Sequence, residues 1–155
     1  GAIGDFTVQY KDRLPDDVVG ELLRLGEQHF SVLEDFPDAR AFWWPRFKRV
    51  AGWFANFAAK RRPGIVRIAA EINGTLDIAL KDRVFTLRSR ADRIEHRTDG
   101  RYAILDYKTG RVPTAPQVKS GLEPQLTLEG AMLRAGRFGE IPAGASIAGS
   151  RFASG

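Results

Sequence analysis

The spacing of apolar residues divides the chain into a helical first part and a strand-rich second part. Val18, Val19, Leu22, Leu25, Phe30 and Leu33 recur at roughly helical intervals behind Leu14-Pro15-Asp16-Asp17, a proline and two acids that suit a helix start. Gly26 weakens this helix without ending it. A second helix is expected to begin near Trp44-Pro45, because proline is tolerated in a first turn. Its Phe47, Val50, Ala51, Phe54, Phe57 and Ala58 form one unbroken apolar stripe, with Trp53 off it, and Pro63-Gly64 should stop it.

After Gly64 the period changes. Residues 65–72, 75–80, 85–96 and 101–108 are β-rich runs and predict four strands. Asn73-Gly74 reads as a two-residue hairpin turn between the first two. Thr98-Asp99-Gly100 reads as a three-residue turn with glycine in its left-handed last position. Pro113 and Pro116 mark a loop. Gln125, Leu126, Met132 and Leu133 predict a helix from about Pro124 to Ala135, and residues 147–152 a last edge strand. With 155 residues, 43% of them hydrophobic, the chain suits a single domain, 1–155. The expected fold is α/β, a central mixed sheet flanked by helices.

Composition narrows the chemistry. The absence of cysteine excludes disulfides, thiolate zinc sites, iron-sulfur clusters and cysteine nucleophiles. A net charge of +5 favours an anionic partner, though an excess of this size is common on solvated surfaces. Arg46, Lys48 and Arg49 and the run Lys60-Arg61-Arg62 read first as a solvated face and a favourable helix C-terminus, and second as a DNA-backbone contact surface. No stretch approaches the ~20 apolar residues of a membrane span, and no secretory signal opens the chain, so a cytoplasmic protein without membrane contact is expected.

The turn after residue 97 allows the register of its strands to be read. Closing it with Arg97 opposite Arg101 sets Asp92 opposite Asp106. Directly opposed residues hold their Cβ atoms ~4.5–5.5 Å apart, where two carboxylates repel unless a cation lies between them. Alternation puts Lys108 on the face of Asp106, and the apolar run Tyr102-Ala103-Ile104-Leu105 makes their strand a central one. These are the parts of metal-assisted phosphodiester hydrolysis. Asp92 and Asp106 would hold a divalent cation, the Tyr107 backbone carbonyl is a further candidate ligand, and Lys108 would orient water or offset charge on phosphorus. Magnesium, with manganese as the alternative, suits few hard oxygen ligands and several waters. Asp-x-Lys alone is more often a surface ion pair; the opposed Asp92 changes the balance. Glu71 is read as a strand residue facing water or pairing with Arg67, His29 as a partly buried core residue, and His96 as a surface residue.

Ala91-Asp92-Arg93-Ile94-Glu95, then Ile104-Leu105-Asp106-Tyr107-Lys108-Thr109-Gly110, then Pro124-Gln125-Leu126 resemble, in order and spacing, the three successive motifs of RecB-type nucleases in the PD-(D/E)XK superfamily. The resemblance is closest to the AddB group, the nuclease-bearing subunits of bacterial AddAB helicase-nucleases, and runs from Phe42-Trp43-Trp44-Pro45 to Gly139. It implies a restriction-endonuclease-like core in which Asp92 and Asp106 are metal ligands, Lys108 is the catalytic lysine and Gln125 reaches the active site from its helix. Arg93 and Thr109, within the same motifs, are candidate nucleic-acid contacts. The implied role is a magnesium-dependent DNA exonuclease that processes double-strand breaks for recombinational repair beside an AddA-like helicase-nuclease subunit.

The chain departs from the family pattern in places. Those nucleases carry an upstream Gly-x-x-x-His helix whose histidine completes the metal site, and no histidine precedes His29. The expectation is a piece truncated at its N-terminus, and possibly at its C-terminus, and feeble as a nuclease alone. Glu95 replaces a usual aspartate, Glu129 stands where many relatives have tyrosine, and cysteines for the iron-sulfur cluster of many AddB proteins are absent. Two rival readings stand beside the nuclease: a catalytically crippled nuclease-fold fragment acting as scaffold or DNA-binding module, and a single-strand-binding domain stacking bases on exposed Trp43 and Trp53.

Overall fold

The computed structural model describes residues 1–108 and 125–153, the last four by backbone alone. The chain forms two compact units, a helical one ending at Gly64 and a sheet-bearing one beginning at Ile65.

In the helical unit, α1 (Ala2–Gln9), α2 (Val18–Phe30) and α3 (Pro37–Arg61) supply the buried Phe6, Leu22, Leu25, Ala51, Phe54 and Ala58. α2 starts where the sequence places it, because the Asp17 carboxylate accepts from the Gly20 N–H at 2.8 Å and satisfies one of the free donors of the first turn. α1 is not among the expected elements; only three of its eight residues are buried, too few to register as a period. α3 starts at Pro37 rather than near Trp44-Pro45, and Pro45 lies inside it. An interior proline costs about 3 kcal/mol relative to alanine. Here Pro45 and Ala41, whose carbonyl loses its donor, are exposed to water, and the contacts of Trp44 and Phe47 with Phe30, at 5.2 and 5.7 Å between ring centroids, hold the helix together. Among the described residues no helix is long and apolar enough to cross a membrane.

The second unit is a four-stranded mixed sheet in the order β1 (Ile65–Leu80), β2 (Arg83–Arg97), β3 (Tyr102–Tyr107), β4 (Ile147–Ala153). The first three form an antiparallel meander and β4 pairs parallel to β3. The helix α4 (Gln125–Arg134) lies against this sheet, and Leu126, Met132 and Leu133 join Ala91, Ile94, Ile104, Phe138 and Ala145 in its core. The loop marked by Pro113 and Pro116, and Pro124 at the expected helix start, lie outside the described residues.

Asn73-Gly74 is not a turn. β1 runs straight through it, Gly74 pairs with Ser89, and the chain reverses instead at Lys81-Asp82, between Leu80 and its partner Arg83. Glycine is needed at position 74 for another reason. A Cβ there would lie 2.6 Å from the Phe138 ring and 2.9 Å from the Arg137 carbonyl oxygen, because residue 138 bridges to Gly74. Beyond the core the β1–β2 hairpin projects Ile78, Leu80, Val84 and Phe85, all exposed.

One rung of this hairpin is irregular. Ala70 pairs with Arg93 and Ile72 with Ala91, while Glu71, between them opposite Asp92, has φ +54, the one left-handed backbone among the described non-glycine residues. Strict alternation would send residues three apart to opposite faces. Ala69 and Ile72 nevertheless both pack on the core, as do Ala91 and Ile94. The strands therefore exchange faces at the rung of Glu71 and Asp92.

The turn at Thr98-Asp99-Gly100 is the expected one. Arg97 donates to the Arg101 carbonyl at 2.8 Å, Gly100 has φ +78, and Arg93 pairs with Leu105 and Ile94 with Ile104. Replacing Gly74 by alanine should destabilise the sheet unit by about 1–3 kcal/mol, the usual cost of overpacking. Urea unfolding measures this, and a wild-type midpoint would show that the close approach of Phe138 does not require glycine at position 74.

Candidate active site

Asp106 stands on β3, two residues beyond Ile104 on the face that carries α4, and is 4% exposed. Its Oδ1 accepts from the Gln125 amide at 2.7 Å. Its Oδ2 lies 2.9 Å from Lys108 Nζ, but off the hydrogen-bonding direction, so that this buried oxygen has an ion-pair partner and no hydrogen bond. Lys108 Nζ also donates to Gln125 Oε1 at 3.2 Å. An acid, an ammonium and an amide thus meet at the end of a central strand.

Asp92 reaches the same place from β2. Its Oδ2 accepts from the Tyr107 backbone N–H at 2.8 Å, the peptide next to Asp106. Burial lifts the Asp92 carboxyl above the usual aspartate range; the Tyr107 amide opposes this, the charges of Asp106 and Glu71 add to it, and Lys108 opposes it. The acids are near enough to feel one another. Among the described residues no group of three or more histidines or acids is placed to hold a metal, so the candidate donor set is the pair Asp92 and Asp106.

Glu129, one turn after Gln125 on α4, closes the arrangement from above. Its Oε1 accepts from Ser89 Oγ at 2.9 Å and from Gln125 Nε2 at 3.2 Å, while its buried Oε2 has no hydrogen bond. Burial raises its pKa, against the Ser89 and Gln125 hydrogen bonds and together with the charges of Asp106 and Asp92. The sequence does carry a signal for Glu129 and one for Glu71. Glu129 follows Gln125 by four, the interval that puts two side chains on one helix face, and a hairpin closed at Lys81-Asp82 sets Glu71 opposite Asp92.

Other candidates fall elsewhere. Arg93 is 3% exposed, its guanidinium paired with Glu95 at 2.8 Å and donating to the Tyr107 hydroxyl at 3.3 Å, so it is an interior residue and not a surface contact for DNA. Thr109 lies outside the described residues. Glu71 pairs with Arg90, whereas Arg67 pairs with Glu140. His29 is exposed and meets Asp5 at 2.5 Å rather than sitting in the core. His96 is half-buried and stacked on Tyr102 at 4.6 Å, not a free surface residue. Trp43 is exposed, but Trp53 stacks on Phe57 and is half-buried, which removes one of the two proposed base platforms.

Comparison with known proteins agrees with this fold. The family model described as the PD-(D/E)XK nuclease superfamily matches residues 5–153. An uncharacterized protein of Rickettsia bellii (strain RML369-C) is 29% identical over 131 residues, covering 83% of this chain and 16% of that protein. The uncharacterized protein RT0391 of Rickettsia typhi is 34% identical over 94 residues, covering 61% of this chain and 11% of that protein. An uncharacterized protein of Rickettsia felis is 38% identical over 80 residues, 52% of this chain and 9% of that protein. The chain thus spans a small part of these curated relatives.

The raised carboxyls set a pH dependence. An acid whose folded pKa exceeds its unfolded value holds a proton in the fold that the unfolded chain has released, so stability declines as pH rises from the unfolded to the folded value and stays lower above it. Without divalent cations, Asp92→Asn, which keeps an acceptor for Tyr107, should raise the melting temperature at neutral pH by roughly 2–4 °C. The gain should vanish below the ordinary aspartate range. Thermal melts from pH 3 to 8 in a chelator test this, and a loss of stability at pH 7 would refute the destabilising burial of the Asp92 charge.

Proposed function

The chain belongs to the PD-(D/E)XK nuclease superfamily, and on that footing we propose that it is the core of a metal-dependent deoxyribonuclease, with Asp92, Asp106, Lys108 and Gln125 as its working residues. The observation that carries this reading is Asp106: a carboxylate buried in the central strand, held by Gln125 and Lys108, with one oxygen lacking a hydrogen bond and a second acid on the neighbouring strand.

The donors fit a hard divalent cation. Two carboxylates, mutually repulsive and partly desolvated, gain from a cation, and magnesium accepts one or two carboxylates while keeping most of its waters. Asp92 and Asp106 would hold it, with the Tyr107 carbonyl as a further candidate. When bound, such an ion neutralises phosphate charge and lowers the pKa of a water. The protein's own groups do the rest. Lys108, 33% exposed and 2.9 Å from Asp106, is positioned to meet a phosphate oxygen or an attacking water. Gln125 fixes both partners by accepting from the lysine and donating to the acid.

The order of the three motifs supports a finer reading. In it the chain is the nuclease module of an AddB-like protein in the cytoplasm, which trims DNA ends at double-strand breaks while an AddA-like partner unwinds them. The small share of its relatives that it spans is in keeping with a module of a larger protein.

In the full-length protein Asp106→Ala should abolish both magnesium binding and cleavage of linear DNA. Lys108→Ala should lower kcat by ~10²–10³ yet leave magnesium affinity intact, because an ammonium repels a cation. Isothermal titration with magnesium and single-turnover cleavage separate the two effects. DNA binding that is indifferent to magnesium and to Asp106→Ala would favour the crippled-scaffold reading instead.

A further inference from the structure

The side chain of Glu129 has no part in the roles given above, and its setting is costly. It is 1% exposed, meets no cation among the described residues, and one of its oxygens lacks a hydrogen bond. Burying an acid in this way normally lowers stability, so an apolar residue would suit α4 better if packing were all that mattered.

What Glu129 contacts is the amide of Gln125. A primary amide is nearly symmetric in shape, and only its hydrogen bonds decide which end is oxygen. Gln125 Nε2 donates to Asp106 Oδ1 at 2.7 Å and to Glu129 Oε1 at 3.2 Å, while Oε1 accepts from Lys108 at 3.2 Å. Turned over, the amide would aim its oxygen at two carboxylate oxygens and its N–H groups at an ammonium. Without Glu129 the amide would be held by one N–H bond, to Asp106, and by the longer bond from Lys108, whose flexible side chain can follow a turn of the amide. Two N–H bonds in diverging directions fix the plane. Ser89 Oγ, donating to the same Glu129 oxygen at 2.9 Å, ties this second anchor to β2, the strand of Asp92.

We propose that Glu129 is a positioning residue that locks the Gln125 amide, and through it the placement of Lys108 against Asp106. The proposal rests on the nuclease reading for its consequence in catalysis, but not for its geometry. Glu129 acts through an accepting oxygen, not through its charge. Glu129→Gln can turn its own oxygen toward Ser89 and Gln125 and so recover most of what Glu129→Leu loses.

The test has one arm that needs no activity. In 15N-labelled protein the Gln125 side-chain amide should give a dispersed, slowly exchanging pair of resonances in the parent and in Glu129→Gln, and a solvent-like, rapidly exchanging pair in Glu129→Leu. Thermal melts establish that each variant is folded. Should Glu129→Leu fail to fold, Ser89→Ala carries the test, with a smaller shift of the same resonances expected. In cleavage, Glu129→Leu should lower kcat ~100-fold, the scale of a ~1 Å misplacement, with little change in KM. In a Gln125→Ala background it should cost nothing further. Unchanged Gln125 resonances in Glu129→Leu, additive losses with Gln125→Ala, or a Glu129→Gln variant as poor as Glu129→Leu would each overturn the proposal. If instead Asp106→Ala cleaves like the parent, the nuclease reading fails while the amide resonances still decide the role of Glu129.

Discussion

The register of β2 against β3 is the constraint on which the site depends. It is set by the three residues between Arg97 and Arg101, and it carries Ile94 onto Ile104 and, one rung past the last paired residues, Asp92 toward Asp106. A slip of one residue would turn every side chain of β3 to the opposite face. Asp106 would leave Gln125, and Ile104 would leave the core it shares with Met132 and Leu133. Core and site are thus fixed by the same choice, so packing energy enforces a geometry that the acids, repelling each other, would not adopt unaided.

The irregular rung at Glu71 and Asp92 serves the same end. A hairpin as long as β1–β2 with strict alternation would have one apolar face throughout. Here the apolar face changes side, so Leu76, Leu87 and Ala91 before the exchange and Ile94 after it all reach one core. The exchange is where an acid can stand between two apolar stretches without displacing either. A left-handed non-glycine residue is a strained conformation, costing of order 1–3 kcal/mol, and such strain clusters at functional sites. Together with the half-buried Asp92 and the buried Glu129, it makes the site the part of the sheet that stability alone would not select.

What could be read from the sequence was local or periodic. The turn at Thr98-Asp99-Gly100, the helix start behind Asp16-Asp17, the apolar stripe around Phe54 and the helix at Gln125 each depend on neighbours within a few residues, and each stands where the pattern placed it. The failures depend on distant partners. Asn73-Gly74 has the composition of a turn, but its glycine answers to Phe138, far along the chain. Pro45 has the look of a helix start, but aromatic contacts from Phe30 carry α3 through it. Arg93 lies in a motif beside Asp92, and alternation after the face exchange sends it to the face opposite Ile94, where it is buried against Glu95. For the candidate site, Asp92, Asp106, Lys108 and Gln125 were legible from register and resemblance. Ser89 and Glu129 were not, because their meeting needs α4 laid on the sheet at a definite height.

The parallel pairing of β3 with β4 bears on how the molecule comes to fold. The meander β1–β2–β3 joins strands through short turns and can form early, whereas Tyr102 must wait for Ile147, 45 residues later, before β3 gains its second neighbour. During synthesis, β3 is therefore an open edge until β4 has emerged, and its unpaired backbone is a template for pairing with another nascent copy. The strand that carries Asp106 thus depends on a distant partner, and the sheet unit is open to such pairing for as long as synthesis of the intervening residues takes.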